Sequence, residues 1–237
     1  MKYSFNEEFF SIQLYVNNKV LTPRNETEIL VDKVLKEIKF IQEAKKNFIL
    51  IDIWTWSACI PIAILKNIKT FPQETFALDI SLDAIKVARI NIEYHNLQDK
   101  IKLLYSDLLE VFLKPLPASP YQGRSFPLIR GIEGVIITAN LPYIKNQDFE
   151  NIDKEVLKND PHIALFGWEK TGFEMYEKLI WQIFEFKKIF NLKNIILFIE
   201  IWFDQYDYSR QYLSNLWLKF EYFKDLNNIH RVIKIEL

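Results

Sequence analysis

Three β-rich runs, "NFILIDI", "ETFALDI" and "KIKLLYSD", each close on an acidic residue, Asp52, Asp79 and Asp107, and stretches of helical period lie between them. Strands that alternate with helices need crossover connections, which are right-handed and give a parallel sheet. "GVIITANLPYI" supplies a fourth strand and "NIILFIEI" a fifth, while "FEYFKDL" and "RVIKIEL" face each other across "NNIH" as a closing hairpin. The chain is therefore predicted to be α/β, with a seven-stranded, mostly parallel sheet and an antiparallel C-terminal hairpin.

Residues 1 to 22 read as a short extended or hairpin segment, with Asn17-Asn18 as the turn, and residues 23 to 237 as one domain. Apolar residues at Ile29, Leu30, Val34, Leu35, Ile38 and Ile41 predict a helix capped by Asn25. The segment from 114 to 134 holds four of the nine prolines and three of the five glycines, which predicts an inserted surface loop.

Composition narrows the function. Lys and Arg number 30 against 31 Asp and Glu, so no basic excess marks a nucleic-acid binder, and no stable nucleic-acid partner is expected. Cys59 is the single cysteine and lies in an apolar helix start behind Ser57, which predicts a buried structural thiol and excludes disulfides within the chain. His95, His162 and His230 are scattered, so neither a metal site nor a histidine-driven triad is expected. No apolar stretch reaches the length of a membrane span. The expectation is a cytoplasmic monomer.

In a doubly wound sheet the ligand lies outside the carboxyl ends of the strands, where Asp52, Asp79, Asp107 and Asn140 fall. Any one of them alone reads as a turn or cap residue; four at consecutive strand ends read as a site. Asp79, followed by the helix-capping Ser81, is predicted to be free to accept the hydroxyls of a ribose, and Asp107 suits the exocyclic amine of an adenine. In "NLPYI" the strand ends on an amide side chain, a rigid carbonyl before proline and an aromatic face, a set able to hold a planar NH2-bearing group. The lone pair of such a group is delocalised, and acceptors gripping its N–H bonds favour the pyramidal, nucleophilic form.

These segments resemble an S-adenosylmethionine-dependent methyltransferase of the Rossmann-like class I type, and four more narrow the resemblance. "TPRNETEILVD" is similar to a "PRPETE" segment, "EVLKNDPHIALFGWEKTGFEMYEKLI" to "EP..ALFGG..G...Y", "FIEIWFDQ" to "EIG..Q", and "FEYFKDLNNIHRVI" to the closing hairpin of the HemK/PrmC family. Members of that family methylate the glutamine of the Gly-Gly-Gln loop in peptide chain release factors. The resemblance implies that Asp52, with Trp54 and Trp56 in the turn after it, holds the methionine part of S-adenosylmethionine, that Asp79 holds the ribose, and that Asp107 lies near the adenine. It implies that Asn140 and the carbonyl of Leu141, before Pro142, take the glutamine amide, with Tyr143 packed against it, and that no metal takes part. Leu141 stands where the family usually has proline, the form seen in ribosomal RNA adenine dimethylases. The alternatives are an adenine N6-methyltransferase acting on RNA or DNA, and a catalytically dead fold used as a binding module. The resemblance begins near residue 5, beyond the helical N-terminal domain that family members usually carry, so recognition of the release factor is the function expected to differ.

Trp54 and Trp56 occupy a turn that wants glycine for its backbone and for ligand space. Trp168, Trp202 and Trp217 also fall where the resemblance expects glycine, and Trp181 alone does not. The expectation is that one cause covers all five, UGA codons read as glycine by the host and translated as tryptophan; the alternative is that the tryptophans are genuine core or surface aromatics.

Overall fold

A computed structural model describes residues 3–44, 46–114, 132–142, 144–145, 166–168 and 170–237, with the backbone alone given for 144–145 and 166–168. The predicted insert lies, from 115 to 131, outside the described residues.

The main sheet has seven strands. β3 (Phe48–Ile53), β4 (Glu74–Asp79), β5 (Ile101–Tyr105), β6 (Gly134–Ala139) and β9 (Ile195–Glu200) run parallel, and β11 (His230–Glu236) lies antiparallel between β9 and β10 (Lys219–Lys224). Their order is β10-β11-β9-β6-β3-β4-β5. Every residue of β3 is buried, as a strand covered on both faces requires, and this explains its apolar run from Phe48 to Ile51. Two strands, β7 (Ile144–Lys145) and β8 (Phe166–Trp168), form a separate parallel pair that no sequence signal marks.

Helices α1 (Thr27–Glu43), α2 (Cys59–Lys66), α3 (Leu82–Tyr94), α4 (Glu110–Leu113), α5 (Glu174–Phe190) and α6 (Tyr206–Asn215) connect and cover the strands. α1 buries Leu30, Val31, Val34, Ile38 and Ile41 and packs on α2 and β9. α5 buries Tyr176, Leu179, Ile180, Ile183 and Phe186 along one stripe. Ser81 caps α3 as predicted, accepting from Ala84 N.

Three local expectations fail. Asn25 does not cap α1, which is entered through successive backbone turns, Thr27 N to Arg24 O and Glu28 N to Asn25 O, with Glu26 already helical at its cap position. α2 begins at Cys59 behind Ala58, one residue later than a start directly behind Ser57. The N-terminal hairpin turns at Phe10-Ser11, not at Asn17-Asn18, joining β1 (Glu7–Phe9) to β2 (Ile12–Leu14). Both turn residues have positive φ, 48° and 60°, the pair of values a two-residue type I′ turn needs. That register sends Phe9, Ile12 and Leu14 into the core, a gain that outweighs the weak turn preference of Phe and Ser.

Side chains on α1 and on or just after α3 fasten the hairpin: Glu28 Oε1 accepts from Phe10 N (2.7 Å), and His95 Nε2 lies 2.8 Å from Gln13 O. The buried Asn91 on α3 accepts from Tyr15 N (2.7 Å) and donates to Tyr15 O (2.9 Å), while its amide also donates to Ser57 O (2.9 Å) in the turn after β3. Replacing Asn91 by Leu strands three backbone groups, and the unfolding free energy is expected to fall by about 2–4 kcal/mol. Urea denaturation checks this; a loss under about 1 kcal/mol would mean that water substitutes for the amide.

Candidate active site at the strand ends

The strand order reverses between β3 and β6, and the crevice outside their carboxyl ends is where ligands of open α/β sheets bind. Asp52 and Asn140 flank that crevice, and Asp79 lies one strand away at the end of β4.

Asp52 is fully buried. Its Oδ1 accepts from the Thr138 hydroxyl at 2.6 Å, and its Oδ2 has no hydrogen-bond partner. Burial pushes its pKa up to about 7, against the Thr138 hydrogen bond and with some help from the Asp79 charge. Asp79 is buried as well. Burial raises it to about 6, although Ser81 N donates to Oδ1 (2.8 Å) and Trp56 N to Oδ2 (3.0 Å). The expectation of a free carboxylate at Asp79 is thus corrected: the turn after β3 folds over the end of β4, pinned by Thr55 N to Leu78 O, and brings the Trp56 amide onto Oδ2, while the Ser81 amide just after β4 takes Oδ1. Asp107 stands apart from these two, partly exposed and paired with Lys178 at 2.6 Å.

Asn140 is buried with its two ends in different states. Nδ2 donates to Glu200 Oε2 (3.0 Å) and Thr27 Oγ1 (3.2 Å), and the Thr27 hydroxyl itself donates to the same Glu200 oxygen (2.6 Å). A carboxylate only accepts, so this contact fixes which end of the amide carries nitrogen. Oδ1 is left without a partner, an oriented acceptor. The Tyr176 hydroxyl joins the next residue to the same centre, accepting a hydrogen bond from Leu141 N (3.1 Å) and donating one to Glu200 O. Pro142 is buried, and Tyr143 lies outside the described residues. Thr27, Tyr176 and Glu200 were missed as site residues, although Glu200 ends an apolar strand on an acid as Asp52 does. Cys59 is buried, and its thiol is pushed up to about 12, too high for a nucleophile.

The turn itself is closed. Trp54 and Trp56 are 5% and 4% exposed, their rings meet edge to face at 5.3 Å, and Trp56 Nε1 donates to Asn140 O (3.2 Å) across the crevice. Among the described residues, no group of three or more His, Cys, Asp or Glu side chains could hold a metal ion. None of the described helices is long and apolar enough to cross a membrane.

The strand order, the reversed β11 and the acids at successive strand ends define a class I, S-adenosylmethionine-dependent methyltransferase fold. No protein-family model matches the chain. It is 34% identical over 235 residues to the release factor glutamine methyltransferase of Dictyoglomus turgidum, spanning 97% of this chain and 72% of that protein. It is 32% identical to the protein of the same name from Mycoplasma mycoides, again over 72% of that protein. The chain belongs to the release factor glutamine methyltransferase family. It is also 30% identical to the bifunctional methyltransferase of Rickettsia typhi, of which it spans only 42%. Among solved structures, the N-terminal domain of human METTL16 in complex with SAH superimposes with a TM-score of 0.57 at 14% identity, covering 94% of this chain and 75% of that one.

Against that family's cofactor, the residues fit only in part. The carboxylates stand at the expected strand ends, but two indoles fill the turn that the methionine part of S-adenosylmethionine would lie against.

The raised carboxyls set a pH dependence. Between the ordinary value of 3.8 and their raised values, the folded chain holds protons that the unfolded chain has released. Unfolding free energy should therefore fall as pH rises through 4 to 7, by up to about 1.4 kcal/mol per pH unit for each group, and level off above. Asp52→Asn removes one of the two and should flatten the slope of denaturation midpoints between pH 5 and 8. An unchanged slope would show that Asp52 titrates normally.

Proposed function

We propose that this chain methylates the side-chain amide nitrogen of a glutamine in a protein, and that its substrate is the Gly-Gly-Gln loop of a peptide chain release factor. The observation that carries the reading is the unpartnered Oδ1 of Asn140, buried and held in one orientation by Glu200 and Thr27. An acceptor so fixed takes an N–H of the substrate amide without reorganising, and the carbonyl of Leu141, rigid before Pro142, takes the other. Both contacts strengthen as the nitrogen gives up its delocalisation, so they favour the reacting geometry over the resting one. S-adenosylmethionine supplies the methyl group. The names of the relatives support both the reaction and the release-factor substrate.

The test uses the chain with glycine at 54 and 56, so that cofactor access is not the variable. Given labelled S-adenosylmethionine, a Gly-Gly-Gln peptide, a release factor and ribosomal RNA, it should label the glutamine. Label on adenosine instead would overturn the reading in favour of a nucleic-acid enzyme. Asn140→Ala should lower turnover by roughly 100-fold or more while cofactor affinity barely changes. Near-normal turnover would remove Asn140 from the machinery.

A further inference from the structure

Three of the tryptophans stand on backbone that tryptophan avoids. Trp54, Trp56 and Trp217 have φ of 56°, 51° and 57°. A bulky residue in this region is an outlier, because its Cβ crowds the carbonyl oxygen that follows, whereas glycine adopts it freely. Of the five tryptophans with described side chains, three lie there. At a few per cent per residue, that would arise by chance on the order of once in a thousand cases.

The three share no environment that would select an indole. Trp54 is buried with its Nε1 lacking any acceptor, Trp56 spans the crevice to Asn140 O, and Trp217 is 94% exposed after α6. What they share is the left-handed backbone. The other two are different, so the single cause expected from the sequence is not carried by the backbone at Trp202. Trp181 lies on α5, 58% exposed and packed against Phe184, where glycine would weaken the helix. Trp202 has no positive φ and lies under the Arg231 guanidinium, 5.5 Å from the ring centre.

We infer that residues 54, 56 and 217 are glycine in the working protein, encoded by a triplet read there as glycine and rendered here as tryptophan, and that the chain as written has a cofactor turn closed by its own indoles. UGA is the triplet that one code reads as tryptophan and another as a different residue or stop. The inference rests on reading the turn after β3 as the cofactor's seat, and not on the identity of the methyl acceptor. With glycine at 54 and 56, two ring systems leave the turn, while the amide of residue 56 still donates to Asp79 Oδ2.

Calorimetric titration with S-adenosylhomocysteine tests the closed turn without any turnover. The chain as written should show no binding, and the Trp54→Gly/Trp56→Gly variant should bind at least about 100-fold more tightly than the detection limit at millimolar ligand permits for the parent. Equal binding by both, or none by the folded double variant, would overturn the inference. Trp217 provides a test that needs no ligand. Trp217→Gly and Trp217→Ala both remove the exposed indole, but only glycine relieves the backbone, so its melting midpoint should exceed that of the alanine variant by about 2–4 °C. A midpoint equal to or below alanine's would count against a glycine backbone at 217. In the gene, UGA at 54, 56 and 217 with UGG at 181 is the expected pattern, and UGG at all four positions would overturn the decoding. If the double variant binds S-adenosylhomocysteine yet labels no glutamine, the proposed substrate fails and this inference stands.

Discussion

The carboxylate of Glu200 is the anchor on which the arrangement of the site depends. It lies at the buried end of β9 and accepts from Thr27, 173 residues away in sequence, and from Asn140, 60 residues away. A carboxylate withdrawn from water is tolerable only when strong donors replace its hydration, and removing one donor leaves a buried charge uncompensated. The same contacts that satisfy Glu200 leave Asn140 with one rotational state. An asparagine whose nitrogen is committed twice presents its oxygen to the crevice, so stability and site geometry are set by one network. Tyr176 extends it by joining the backbone leaving β6 to the last carbonyl of β9.

Around this anchor the sheet concentrates unfavourable electrostatics. Asp52 and Asp79 both lie where burial raises their pKa, and Asp52 Oδ2 has no partner. Such groups weaken the fold near neutral pH, and they persist in proteins chiefly where a ligand needs them. The cost falls on the crevice between β3 and β6, because a reversal of strand order is the one place where neighbouring crossovers leave in opposite directions and open the sheet's edge.

The tryptophans in the turn conflict with everything next to them. The strand before it, the amide contact to Asp79 and the helix after it agree with a ligand-binding turn, while the side chains at 54 and 56 occupy the ligand's place. Local choices in a natural sequence support the same global structure. Phe10 and Leu108 also have positive φ, but among the bulky described residues only tryptophan recurs there, and its recurrence at Trp217, outside the turn, points to that residue type and not to the fold.

Much of this was legible in the sequence. Apolar runs of strand length separated by helical periods marked the seven strands of the main sheet and their directions, and strand-ending acids marked Asp52, Asp79 and Asp107, because both signals are local and repeat along the chain. The excess of tryptophan over glycine was equally visible. Only the tertiary structure decided that Phe10-Ser11 turns the hairpin, that Asp79 is already engaged by Ser81 and Trp56 amides, and that Thr27, Asn140 and Glu200 form one network. These depend on groups far apart in sequence meeting at hydrogen-bond distance, and neither periodicity nor composition encodes distance. The sequence determined which residues end the strands; which end of the Asn140 amide faces the crevice was decided by the burial of Glu200, a carboxylate that can only accept.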